Sequence, residues 1–74
     1  MQLEEAFGEN LRRLRLHRKL TQADLALRTG LTKRYVIKLE QGLSSPTLAA
    51  IVKLASCLEV GAHDLVKQAV DSAE

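Results

Sequence analysis

The sequence predicts an all-α protein: a compact bundle of five helices in a single domain that spans residues 1–74. Apolar residues recur every three or four positions in several segments, as they do along the buried face of a helix. Threonines stand immediately before three of these segments, where a side-chain oxygen can cap a helix. No segment shows the alternation of apolar and polar residues that is typical of a strand.

Helix 1 is predicted to run from about Leu3 or Glu4 to Lys19. Four apolar residues at helical spacing form its expected buried stripe: Leu3, Phe7, Leu11 and Leu14. After this stripe, Leu16 and Leu20 are expected to bring the chain back to the core.

Two short helices are predicted to follow, separated by a turn that carries Gly30. Helix 2 runs from Gln22 to about Thr29, and helix 3 follows Thr32 and ends before Gly42. Glycine readily adopts the left-handed conformation that ends a helix, so both glycines are expected at helix ends. Two short helices joined by a glycine-containing turn predict a helix-turn-helix at about residues 22–41.

Two further helices are predicted in the second half of the chain. Helix 4 begins after Thr47, and Gly61 opens helix 5. Within helix 5, Val66 and Val70 have the spacing of an exposed apolar patch, although they could instead pack on the domain's own core. Because a domain of this size has little core, we expect a dimer formed through helix 5 and part of helix 4.

Charge is distributed unevenly along the chain. Residues 10–38 hold nine Arg and Lys residues against one acid, a net charge of +8, and the remainder holds two Lys residues against eight acids, a net charge of −6. This asymmetry predicts one basic face that binds an acidic polymer and another face that does not. The alternative is an ordinary solvated surface.

Lys33, Arg34 and Lys38 are expected on the outer side of helix 3. Arg can pair with both acceptors of a guanine edge, and Lys can reach the same atoms or bind phosphate instead. A solvated helix face is again the alternative. Tyr35 is expected either to pack its ring at the edge of the core or to offer its hydroxyl to a phosphate.

The sequence gives no indication of catalysis, a metal site or a cofactor. Cys57 is the single cysteine, and His17 and His63 are too far apart to form a metal-binding motif. No motif of a known catalytic centre is present, so we do not expect an enzyme. Because there is no long apolar run and no signal-peptide pattern, we expect a cytoplasmic protein with no membrane association.

Four segments resemble, in order, the phage-repressor/Cro (XRE) helix-turn-helix family: LRRLRLHRKLTQADLA, GLT, YVIKLEQG and SPTLAAIVKLASCLEV. The resemblance covers about four-fifths of the chain. It implies a lambda-repressor-like bundle and a sequence-specific DNA-binding transcriptional regulator, such as a repressor. It also implies a homodimer that inserts helix 3 into the major groove of a two-fold symmetric operator on double-stranded DNA.

Roles for individual residues follow from the same resemblance. The positions that usually face bases are Thr32, Lys33, Arg34 and Lys38. The positions that contact phosphate are Thr21, Gln22, Gln41, Ser44 and Ser45, to which we add Tyr35 because of its hydroxyl. Arg15 and Glu40 match an ion pair that joins helix 1 to helix 3.

The chain departs from the family pattern at two positions. Ile37 stands where a small or polar residue is common, and Glu59 stands where many members have a glycine that ends a helix. A left-handed conformation at Glu59 would cost about 1 kcal/mol.

A second function remains open because a helix-turn-helix fold does not by itself imply DNA binding. The chain could be a protein-interaction module, such as an antitoxin that binds a toxin partner, with or without DNA binding. Acidic or apolar residues on the outer face of helix 3 would favour that function. The Lys and Arg residues found there favour DNA.

Overall fold

The structure, a computed structural model, describes residues 2–68 and forms five α-helices in that range. These are α1 (Leu3–His17), α2 (Gln22–Thr29), α3 (Lys33–Glu40), α4 (Leu48–Leu58) and α5 (Ala62–Val66). No strand occurs in the described part of the chain, so the predicted all-α architecture is confirmed. α1 packs against α3 and α5, α2 packs against α3 and α4, and α4 packs against α5.

Threonine side chains begin three of these helices, as predicted. Oγ1 of Thr21, Thr32 and Thr47 accepts a hydrogen bond from the backbone N–H three residues later, at 2.9 to 3.0 Å. At α2 the capping box is complete because Asp24 accepts the Thr21 N–H at 3.0 Å. That N–H, and after it the Thr21 hydroxyl, hold the pKa of Asp24 below its ordinary value. Each threonine cap stabilises its helix by about 1 kcal/mol.

Four residues of the described range have left-handed backbone conformations, each near the end of a helix. Gly30 (φ 77°) and Gly42 (φ 76°) follow α2 and α3, as predicted. Glu59 (φ 59°) ends α4 in the left-handed conformation that the sequence analysis predicts to be costly at this residue. Lys19 (φ 59°) was not foreseen, and its conformation prevents α1 from continuing, so this helix ends at His17 rather than at the predicted Lys19.

One apolar core lies between the helices. Eight side chains in it are almost completely excluded from solvent: Phe7, Leu11, Leu25, Val36, Leu39, Leu54, Leu58 and Leu65. Burying one such side chain contributes about 1.5–3 kcal/mol to folding. Every helix supplies at least one of them, so the core fixes α2 and α3 relative to the rest of the domain.

The predicted buried stripe of α1 is wrong at its first residue, and Leu16 is exposed as well. Leu3 is 57% exposed because it lies at the rim of an open groove between α1, α4 and α5. Leu16 is 48% exposed. Since it lies two residues beyond Leu14, about 200° further around the helix, it points away from the core.

α5 is held against α1 by Asn10, which is 6% exposed. Its Nδ2 donates to the carbonyl oxygens of Leu65 at 2.9 Å and Lys67 at 2.6 Å. The longer helix that the sequence predicted would include Val70, which lies outside the described residues. No helix among residues 2–68 is long and apolar enough to cross a membrane.

Candidate nucleic-acid interface

The helix-turn-helix is formed by α2, the turn from Gly30 to Thr32, and α3. The apolar faces of α2 and α3 meet through Leu25, Val36 and Leu39, all of them fully buried. Because their inner faces share one core, the two short helices behave as one rigid unit. The outer face of α3 is therefore presented to solvent in a fixed orientation.

Lys33, Arg34 and Lys38 are exposed on this outer face. Thr32, just before them, is also exposed, and its Oγ1 accepts the Tyr35 N–H at 3.0 Å. The hydroxyl proton of Thr32 therefore stays available to donate to an acceptor in solution. The structure thus brings together on one side of α3 the four residues predicted to contact bases.

A buried polar network joins α1 to both helices of the motif. Arg15 Nε and Nη2 donate to the two oxygens of Glu40 at 2.6 and 3.0 Å. Both side chains are less than a tenth exposed. Arg15 Nη1 also donates to the carbonyl oxygen of Leu20 at 2.8 Å. The ion pair implied by the resemblance is therefore present, in the two-pronged geometry that makes Arg–carboxylate pairs strong.

Gln22 belongs to the same network. Its Nε2 donates to Glu40 Oε1 at 3.0 Å. A carboxylate only accepts hydrogen bonds, so the NH₂ end of the Gln22 amide, and not its oxygen, faces Glu40. The second Nε2 proton and the Gln22 oxygen are left for other partners. A phosphate contact by Gln22 stays a prediction, and the geometry leaves one donor for it.

The N-terminus of α2 also offers backbone donors. The N–H groups of Thr21 and Asp24 are used within the capping box, whereas those of Gln22 and Ala23 have no hydrogen-bond partner among the described residues. Free N–H groups at a helix N-terminus attract phosphate. The hydroxyl of Thr21 is exposed beside them.

Tyr35 packs at the edge of the core, which is the first of the two roles that the sequence left open. Its half-buried ring packs against the edge of the core, and its hydroxyl oxygen accepts the Thr47 N–H at 3.3 Å. This bond ties α3 to the start of α4. The Tyr35 hydroxyl still has its own proton to donate, so its phosphate contact remains a prediction.

The loop after α3 is less favourable for phosphate than the sequence indicated. Gln41 is exposed and Ser44 is half-buried, whereas Ser45 donates its only hydroxyl proton to Glu4 Oε2 at 2.9 Å. The Glu4 backbone N–H and this Ser45 hydroxyl hold the pKa of Glu4 below its ordinary value. Glu4 and Glu5 line a shallow groove together with Ser44 and Ser45. A phosphate at Ser45 would therefore compete with one carboxylate and lie near a second.

The expectation of an exposed apolar patch at Val66 and Val70 needs correction. Val66 is half-buried and packs against the domain's own core, and Val70 lies outside the described residues. Two exposed apolar residues lie instead on α4, where Leu48 and Val52 are 82% and 64% exposed. These residues are four apart, so they lie on one side of α4.

Two structurally important residues were missed by the sequence analysis. Asn10 stands between Phe7 and Leu11 on the buried stripe, and a polar residue at such a position needs a buried partner. That spacing could have identified it. Gly8, in the middle of α1, could have been recognised as a point of close helix approach.

Comparison with known proteins gives consistent results. Residues 11–65 match the model of a family described as helix-turn-helix, HTH_3. The chain is 35% identical over 66 residues to an uncharacterized HTH-type transcriptional regulator, y4dJ, of Sinorhizobium fredii. That alignment covers 89% of this chain and 86% of the relative.

Solved structures show the same similarity. A hypothetical transcription factor from Neisseria superposes with a TM-score of 0.89 at 28% identity, covering 95% of this chain and 80% of the other. The restriction-modification controller protein C.AhdI from Aeromonas hydrophila gives a TM-score of 0.81 at 37% identity. Here the coverage is 84% of this chain and 94% of the controller.

Proposed function

The chain belongs to the helix-turn-helix family HTH_3 and is a DNA-binding transcriptional regulator, and we propose that it reads a specific duplex site with α3 in the major groove. In this proposal residues 1–74 form one DNA-binding domain. The regulator acts where the DNA lies, in the cytoplasm, and it needs neither a catalytic residue nor a cofactor.

The observation that carries the proposal is the cationic outer face of α3. Its inner face is fixed by Val36 and Leu39, which are fully buried, while Lys33, Arg34 and Lys38 are exposed on the other side. A helix of this size fits the major groove, where Arg34 can pair with O6 and N7 of a guanine. Thr32 contacts a neighbouring base edge in this arrangement, and Lys33 and Lys38 contact either base edges or phosphate.

Phosphate contacts flank the helix in the proposed complex. Thr21 and Gln22 donate to one phosphate together with the free backbone N–H groups at the start of α2. Tyr35 donates its hydroxyl proton, and Gln41 and Ser44 contact the backbone further along. Ser45 contributes only if its hydroxyl stops donating its hydrogen bond to Glu4. Such contacts position the protein, and the base contacts specify the sequence.

We further propose that two copies bind one operator. A single small domain buries little DNA surface, so two half-sites about 34 Å apart are the usual solution in this class. Leu48 and Val52 on α4 are exposed apolar side chains that a second copy would cover. Val66 borders the groove next to α4, and a contribution of Val66 and Val70 to the dimer surface stays a prediction.

Binding to another protein is the second candidate function. The exposed Leu48 and Val52 pair favours it, because apolar side chains on one exposed side of a helix can contribute to an interaction site. An antitoxin that holds a toxin partner would use such a surface. It could do so with or without DNA binding.

Selection of bound duplexes from a randomised DNA pool at physiological salt tests the proposal, because non-specific binding is weak there. An enriched, two-fold symmetric motif is expected, and its repeat gives the half-site spacing. An enriched motif without symmetry would remove the dimer from the proposal. No enrichment by a folded protein would overturn specific DNA reading and favour the second candidate.

A further inference from the structure

Ile37 is an apolar residue on the outer face of α3. It lies three residues after Arg34 and four before Gln41, so the three side chains follow one ridge of the helix. Lys33 and Lys38 lie on either side of this ridge. Ile37 is half-buried, while Lys33, Arg34, Lys38 and Gln41 are exposed.

The hydrophobic core does not account for Ile37. Among the described residues, the partly buried apolar side chains that pack against the core are Leu14, Leu20, Leu31, Tyr35, Ile51, Cys57, Val60 and Val66. Ile37 is absent from this set. The inner face of α3 is already supplied by Val36 and Leu39. Ile37 therefore does not pack against the core of the described domain.

The charges around Ile37 restrict what can cover it. Two Lys residues and one Arg on the same face favour a polyanion over an apolar or basic protein surface. In the major groove of DNA the 5-methyl group of thymine is the apolar group on a base edge, and the other features are hydrogen-bond donors and acceptors. A cationic helix face with one aliphatic side chain matches that combination.

We propose that Ile37 is a specificity-determining residue that packs against the 5-methyl group of a thymine. The inference rests on the proposed insertion of α3 into the major groove. Arg34 and Ile37 are separated by about 4.5 Å along the helix axis. Stacked base pairs are about 3.4 Å apart. The thymine therefore lies one or two base pairs from the base that Arg34 reads.

The test replaces each thymine of the selected operator in turn with deoxyuridine, which lacks only the 5-methyl group. Dissociation constants are measured at fixed salt for the wild-type protein, Ile37→Ala and Leu16→Ala. Leu16→Ala is the matched control, since it shortens an exposed apolar side chain on α1 that has no place in the proposed interfaces. Thermal unfolding checks that each variant is folded.

At one thymine of each half-site, the single replacement is expected to weaken wild-type binding about fourfold, the effect of burying one methyl group. Ile37→Ala should lose that sensitivity, whereas Leu16→Ala should keep it. Equal wild-type affinity for every deoxyuridine operator would overturn the inference without any variant, and so would an Ile37→Ala protein that keeps the sensitivity. If no duplex is enriched in the selection, the proposed function fails first and the inference fails with it.

Discussion

Gly8 of α1 lies directly against the carbonyl oxygen of Leu39 in α3. A Cβ atom at Gly8 would approach that oxygen to 2.5 Å and the carbonyl oxygen of Glu40 to 2.7 Å, both closer than atoms in a folded protein tolerate. The obstructing atoms belong to the backbone, so no side-chain rotation can make room. This contact sets the distance between α1 and α3, the helix proposed to enter the major groove.

We predict that Gly8→Ala destabilises the protein by about 1–3 kcal/mol, the range for overpacking a tight contact. Helix propensity alone would give the opposite sign, because Ala is favoured over Gly by about 0.5–1 kcal/mol inside a helix. Urea unfolding measures the difference. The reverse change at an exposed helical site, Ala49→Gly, serves as the control for propensity in this protein. A more stable Gly8→Ala variant would mean that α1 and α3 are not in close contact.

Local signals made much of the fold predictable from the sequence. Thr21, Thr32 and Thr47 mark helix starts because a threonine oxygen caps the following turn, and Gly30 and Gly42 mark helix ends because glycine tolerates positive φ. These rules use only neighbouring residues. They therefore hold wherever the rest of the domain does not interfere.

Features that depend on distant partners could not be predicted in the same way. Leu3 has helical spacing with Phe7, yet it is exposed because no helix among residues 2–68 covers the rim where it lies. Ser45 is hydrogen-bonded to Glu4, which lies 41 residues earlier in the sequence. The spacing of apolar residues contains no information about such a contact. In the candidate site, the spacing gave the outer face of α3 correctly, but not the acidic neighbours of the loop after it.

The Arg15–Glu40 pair gives a second prediction. Arg15→Met should cost about 3–5 kcal/mol, because it leaves a buried Glu40 carboxylate without its cation. The double variant Arg15→Met/Glu40→Met should cost less than this single change, since no charge is stranded. These two variants and Glu40→Met are compared with the wild-type protein by chemical denaturation in a double-mutant cycle.

The control for this pair is the exposed Arg18–Glu59 ion pair, at 3.2 Å with side chains 40% and 71% exposed. Arg18→Met should change stability by less than about 1 kcal/mol. Equal costs for Arg15→Met and Arg18→Met would contradict the structural role assigned to the buried network.

Glu59 gives a third prediction because its φ of 59° is strained for any residue with a Cβ atom. Glu59→Gly should stabilise the protein by about 1 kcal/mol through relief of that strain. Glu59→Ala is the matched control, since it removes the same ion pair with Arg18 but keeps the Cβ atom. Thermal unfolding should rank Gly above Ala, and equal melting temperatures would show that the left-handed conformation carries no cost.

Base reading and phosphate binding on α3 are separable, and this gives the last prediction. Arg34→Ala should remove the preference for one base pair of the selected operator, a loss of about 1–3 kcal/mol of discrimination. Lys33→Ala/Lys38→Ala should instead reduce affinity for all duplexes if both lysines contact phosphate. The slope of log affinity against log salt would then become shallower by about 0.9 for each lost contact. Lys53→Ala, an exposed lysine on α4, controls for loss of charge alone. An Arg34→Ala protein that keeps the full preference at every position would assign base reading to other side chains, because a guanidinium paired to a guanine edge cannot be replaced by a methyl group without loss of that discrimination.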